Sequence, residues 1–72
     1  MRNMERFFSP ADRMVLEAIR SGYATAEEIR YYCREHGVEV ERMDTHTRRL
    51  KRWGYIIRKT SDYKYSNVWE VM

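Results

Sequence analysis

Apolar residues along this chain change their spacing once, near residue 54. Before it they recur at helical steps of three and four; after it they alternate as in a strand. The first helical pattern opens at Ser9-Pro10-Ala11-Asp12. Ser9 is suited to cap, Pro10 to fill the first helical position, and Asp12 to answer the cap three residues on. Ala11, Val15, Ala18 and Ile19 then share a face, and Gly22 suits a left-handed stop. The spacing predicts a helix over about 10–21. A second capping box, Thr25-Ala26-Glu27-Glu28, opens a helix over about 26–36. Its inner stripe is Ala26, Ile29, Arg30 and Cys33, with Tyr32 at the flank, and Gly37 ends it.

After Gly37-Val38-Glu39-Val40-Glu41 a third helical pattern runs over about 41–53. Met43, Thr47 and Leu50 define its apolar line, and Gly54 closes it. Tyr55–Thr60 is β-branched and aromatic. Ser66–Met72 alternates, with Asn67, Trp69 and Val71 on one side and Val68 and Glu70 on the other. Together they predict a β-hairpin over residues 55–72 with a longer polar loop. Residues 1–8 have no clear period. Met4, Phe7 and Phe8 there need cover, from the domain at 9–72 or from a partner chain.

Charge changes this picture, because it is unevenly placed. Residues 1–41 carry six basic and eight acidic side chains, residues 42–59 seven and one, and residues 60–72 one and two. The formal +3 of the whole chain therefore hides a concentrated positive segment, as expected of a surface that meets a polyanion. At about 100° per residue the third helix has two faces. Met43, Thr47 and Leu50 cluster on one, flanked by His46 and Trp53. Glu41, Thr45, Arg48 and Arg52 lie opposite, with Arg42 and Arg49 to one side. Arginine offers a planar fork of donors that fits phosphates and the O6/N7 edge of guanine.

Other chemistries find little support. One cysteine, Cys33, permits no internal disulfide and reads as a small core hydrophobe. His36 and His46 read as ordinary surface or flank residues, and Trp53 and Trp69 as core. The sequence shows no metal motif, phosphate loop or nucleophile–base spacing, so neither an enzyme nor a cofactor or small-molecule site is expected. With no apolar run long enough for a membrane span and no secretory pattern, a cytoplasmic protein is expected.

Three short helices followed by a hairpin, with basic residues on the third helix, resemble the winged helix-turn-helix superfamily over residues 9–72. "TAEEIRYYC" is similar to that family's capped second helix. "MDTHTRRLKRWGYIIRK" resembles its recognition helix running through a glycine into the wing, although Thr47 stands where an aliphatic residue is common. "NVWEV" resembles the returning wing strand, in which Trp69 and Val71 would dock on the core. The resemblance implies an α+β fold and a sequence-specific double-stranded DNA-binding protein. It suggests a small transcriptional regulator of prokaryotic (archaeal), viral or plasmid type.

On that reading helix 41–53 enters the major groove, and Arg42, Thr45, Arg48, Arg49 and Arg52 meet bases and backbone. Arg58, Lys59 and Lys64 on the hairpin, beside Tyr63 and Tyr65, meet phosphates or an adjacent minor groove. The other class of function open to such a domain is protein–protein assembly. A homodimer is expected, with residues 1–8 at its interface, because so short a chain buries a limited core. The opposing expectation is that Phe7 and Phe8 fold back over helix one of their own chain.

Overall fold

The computed structural model describes residues 4–59 and 68–72. A short 3-10 turn, Glu5–Phe7, precedes α1 (Pro10–Arg20), α2 (Ala26–Glu35) and α3 (Met43–Arg52). Two antiparallel strands, β1 (Ile56–Lys59) and β2 (Val68–Val71), complete an α+β layout. Among the described residues no helix is long and apolar enough to cross a membrane.

Local chemistry sets the helix ends. Both expected capping boxes are formed. The Asp12 N–H donates to Ser9 Oγ at 3.1 Å and the Ser9 N–H donates back to Asp12 Oδ2 at 3.0 Å. Thr25 and Glu28 make the same reciprocal pair at the start of α2. At the far end of α3, Gly54 takes φ +85°, which an L side chain rarely adopts. That turn lets the Tyr55 N–H donate to the Leu50 carbonyl at 3.0 Å and sends the chain into β1.

The third helix starts later than its charge pattern suggests. Expected from residue 41, it begins at Met43, with Arg42 as an N-cap that makes no side-chain capping bond. No Ser, Thr, Asp or Asn is available at that position to satisfy the first N–H groups. Val40 is meanwhile drawn into the core, 3% exposed. Glu41 and Arg42 therefore stand before α3 and not on its outward face. The first two helices start where expected, and all three end one residue earlier than expected.

The core joins every element. Val15, Leu16, Ala18 and Ile19 of α1 are buried with Ile29 and Cys33 of α2, and with Val40, Met43 and Leu50 at α3. Ile56 and Trp69 bring in the two strands. Leu16 belongs to this stripe although the expected face of α1 omitted it. Ala26, placed on the inner stripe of α2, is exposed; it occupies the first position of the helix, beyond the reach of α1. Arg30 behaves as expected: half-buried, it donates from Nε to the Val40 carbonyl at 3.4 Å.

The strands pair Ile56 with Val71 and Arg58 with Trp69. One face thus carries all four residues, yet only Ile56 and Trp69 are buried, and Val71 is 42% exposed. A twisted two-stranded ribbon meets the helices along a diagonal and leaves the other two corners in solvent. The expectation that Val71 docks on the core is corrected accordingly. The Trp69 N–H also donates to the Ala24 carbonyl at 2.9 Å, tying β2 to the connection between α1 and α2.

Phe8 finds cover within its own chain. Its ring stacks on Trp53 with centroids 5.6 Å apart and meets Tyr55 edge-on at 5.1 Å. The Met4 N–H donates to the Tyr55 hydroxyl at 2.9 Å. Phe7 stays 54% exposed. The cover for Phe8 comes from the end of α3 and the residue after Gly54, with Arg13 of α1 5.8 Å from its ring centroid, so Phe8 and not Phe7 meets the expectation of folding back on its own chain.

Candidate nucleic-acid interface

The basic helix is fixed from its buried side. Met43, Thr47 and Leu50 point inward, as their spacing predicts. Thr47, only 4% exposed, resolves its polarity locally: its hydroxyl donates to the carbonyls of Met43 at 3.2 Å and Asp44 at 3.3 Å.

A second anchor was not anticipated. Asp12 of α1 is fully buried, and its carboxylate holds two side chains of α3. Oδ1 accepts from His46 Nδ1 at 2.6 Å, and Oδ2 accepts from Arg49 Nη1 at 2.9 Å as well as from the Ser9 N–H. Burial alone pushes the Asp12 pKa up. The bonds from His46, Ser9 and Arg49, with the charge of Arg49, outweigh it and hold the group below the usual carboxylate value. By contrast, burial alone acts on Cys33 and pushes its thiol up, in keeping with an inert core residue.

The cluster Asp12–His46–Arg49 was legible in principle. Asp12, Val15, Leu16 and Ile19 lie at i, i+3, i+4 and i+7, so the carboxylate shares the buried stripe of α1. A carboxylate there needs cationic or hydrogen-bonding partners. His46 and Arg49, three residues apart beside Met43 and Leu50, are the groups that meet it. His46 is thereby a linker of two helices and not a simple flank residue.

Arg49 is thus turned toward α1, with its guanidinium 5.8 Å from the Trp53 ring centroid. The other cations of α3 have no such tether. Among the described residues, no carboxylate lies within 4.0 Å of Arg48, Lys51, Arg52, Arg58 or Lys59. All five are exposed.

Two shallow concavities flank the free face of α3, and Arg48 lines both. On the α1 side its neighbours are Thr45, Arg49, Arg52 and Trp53. On the strand side they are Asp44, Thr47, Lys51, Arg58 and Trp69. Four expected site residues, Thr45, Arg48, Arg49 and Arg52, therefore lie together, and Arg58 joins them through Arg48. Arg42 is exposed at the start of α3, and Lys59 is exposed at the end of β1. Lys64, with Tyr63 and Tyr65, lies outside the described residues. Lys51 and Asp44 belong to this surface although the sequence did not mark them as site residues. The signal was their position one turn apart from Arg48 on either side.

A helix anchored from behind that presents Arg48, Arg52 and Lys51 with no carboxylate partner among the described residues is suited to polyanions. No family model, curated protein or solved structure matches the chain.

Proposed function

We propose that the protein is a winged helix-turn-helix domain that binds double-stranded DNA in a sequence-specific way and regulates transcription. In this reading α3 enters the major groove and β1–β2 is the wing. The observation that carries it is the contrast within α3. Its inner line is core, while Arg48 and Arg52 project from the exposed face with no carboxylate partner among the described residues. The order α1, α2, α3 and antiparallel pair supports it, as does the bond from Trp69 to Ala24, which seats the ribbon beside the helices. Arg48 and Arg52 supply the base-reading forks; Arg58 and Lys59 of β1 meet the backbone.

Selection from random duplexes tests this directly. A recurring site is expected, with binding that weakens steeply as salt rises because several phosphates are neutralised. Absence of enrichment, or affinity indifferent to salt, would overturn the proposal. The second reading, a protein-assembly domain, draws on exposed apolar groups. Ile57, Val71 and Met72 are exposed on the ribbon and its end, and Phe8, Pro10, Met14 and Val38 line a groove along α1. An apolar partner would bind with little salt dependence, so one titration separates the two.

The homodimer belongs to this proposal too, and the fold narrows its basis. With Phe8 already covered, Phe7 is the arm's unburied aromatic. Sedimentation equilibrium of the chain and of Phe7→Ser is expected to show dimer and monomer respectively. A monomer in both cases would remove the dimer and leave a single-site operator.

A further inference from the structure

Asp44 is the only acidic residue between positions 42 and 59. It lies in the first turn of α3, exposed, in the same concavity as Arg48, Lys51 and Arg58. Three cations surround it, and Arg48 follows at i+4, a spacing at which an acid and a base pair readily on a helix. Yet no cation of the described residues comes within 4.0 Å of its carboxylate. Among the described residues, the carboxylate of Asp44 therefore has no cationic partner.

Against a phosphate backbone such a group is a liability, since it repels the polyanion that its neighbours attract. Its presence needs a compensating contact. In the major groove the usual donor to a carboxylate is the N4 amino group of cytosine; the other amino donor, adenine N6, lies beside the N7 acceptor, which repels a carboxylate. Helices that enter that groove present their N-terminal residues to base edges, and Asp44 is the second residue of α3. One helical turn separates it from Arg48, about 6 Å along the axis. Successive bases on a strand rise about 3.4 Å. The two side chains are thus spaced to reach base pairs within two steps of each other.

We propose that Asp44 is a specificity-determining residue that accepts a hydrogen bond from cytosine N4, next to a guanine read by Arg48. The inference rests on the DNA-binding reading above. Recognition then works in two ways. The correct cytosine gains a bond, guanine and thymine leave the carboxylate facing acceptors without a donor, and adenine offers its N6 amino group only beside the repelling N7 acceptor. The competing explanation is that Asp44 serves only the helix dipole, as acids in a first turn do.

Parallel selections from random duplexes with the wild-type chain, Asp44→Ala and Asp44→Asn distinguish these. The wild type is expected to enrich cytosine at one position within two base pairs of a conserved guanine. Asp44→Ala is expected to lose that preference by about 5- to 150-fold, the range of one good base contact, while keeping the guanine. Its binding to unrelated duplexes should tighten severalfold because a negative charge has gone. Asp44→Asn is expected to shift the position from cytosine toward adenine, whose N6/N7 edge an amide matches. Thermal melts by circular dichroism establish that each variant is folded, as an exposed position allows. Identical base preferences in all three proteins, with only the melting temperature changed, would overturn the inference and leave the DNA-binding reading intact. A wild-type chain that enriches no site would overturn both.

Discussion

Asp12 and Asp44 stand on opposite flanks of the same basic helix and do opposite things. Asp12 is fully buried, and every acceptor it has is engaged by Ser9, His46 or Arg49. Asp44 is exposed among Arg48, Lys51 and Arg58 and engages none of them. The difference lies in solvent. A carboxylate removed from water is costly unless it is paired and hydrogen-bonded, so on the α1 side of α3 Arg49 is committed to structure, together with His46. In water the same pairing gains little and costs side-chain entropy, and among the described residues no carboxylate pairs with the strand-side cations. The arginines of α3 are consequently not one population. Arg49 helps to hold the helix in place, and Arg48, its neighbour in sequence, is available to a ligand.

The largest effect should come from breaking the buried side. Asp12→Ala removes the reciprocal half of a capping box and strands the donors of Ser9, His46 and Arg49, and is expected to destabilise the fold by about 3 kcal/mol or more. Arg49→Ala should cost less, because its side chain is 38% exposed and water can replace part of what it gives. Arg48→Ala should alter stability by less than about 0.5 kcal/mol. Urea unfolding of the three variants checks the order. Equal losses for Arg48→Ala and Arg49→Ala would abolish the distinction between the two flanks.

DNA binding should reverse that order between the two arginines. Arg48→Ala is expected to weaken the selected site by about 1–3 kcal/mol, the worth of a bidentate base contact. Lys59→Ala is expected to weaken all sequences alike and to lower the salt slope by about one unit. Fluorescence anisotropy at several salt concentrations reads both. A Lys59 variant that loses preference at one base position with its slope unchanged would contradict a backbone role for β1.

Much of this contrast was visible in the sequence, and its gaps have physical causes. Helices and strands were legible because capping boxes, glycine stops and apolar periods act over a few residues. The late start of α3 was not, because the pull of Val40 into the core outweighed the helical charge pattern of Glu41 and Arg42. The outward placement of Arg48 and Arg52 followed from angle alone. The capture of Arg49 and His46 did not, since it depends on a carboxylate 34 and 37 residues away. Val71 was assigned by alternation, which places it on the correct face and says nothing of whether that corner of the ribbon is covered.

Acid should sharpen the comparison. The folded Asp12 carboxylate holds its charge below the usual range, so the unfolded chain binds the proton first as pH falls. Its contribution is therefore complete above about pH 3.9 and disappears as pH drops through the lowered folded value. Glu28 acts in the same direction: the Thr25 and Ala24 N–H groups lower it, but its exposure leaves little weight. Urea midpoints from pH 6 to pH 2 should fall steeply in the wild type and less steeply in Asp12→Asn. Matching slopes would mean that the buried cluster is not the acid-sensitive element.

A further small effect belongs to Thr47, which lies between the two flanks. It is buried and polar like Asp12, yet its polarity is settled within one turn of its own helix. The carbonyls that accept from its hydroxyl are intrahelical acceptors already, so removing the hydroxyl orphans nothing. Valine has nearly the same shape and exchanges a buried hydroxyl for a methyl, which lowers the desolvation cost. Thr47→Val is therefore expected to change stability by no more than about 1 kcal/mol, in the stabilising direction. Its affinity for the selected duplex should stay within about twofold, because the hydroxyl faces the helix backbone and not the ligand face. A marked loss of affinity at unchanged stability would instead place the Thr47 hydroxyl on the strand-side surface beside Asp44 and Arg48, and extend the reading surface inward by one residue.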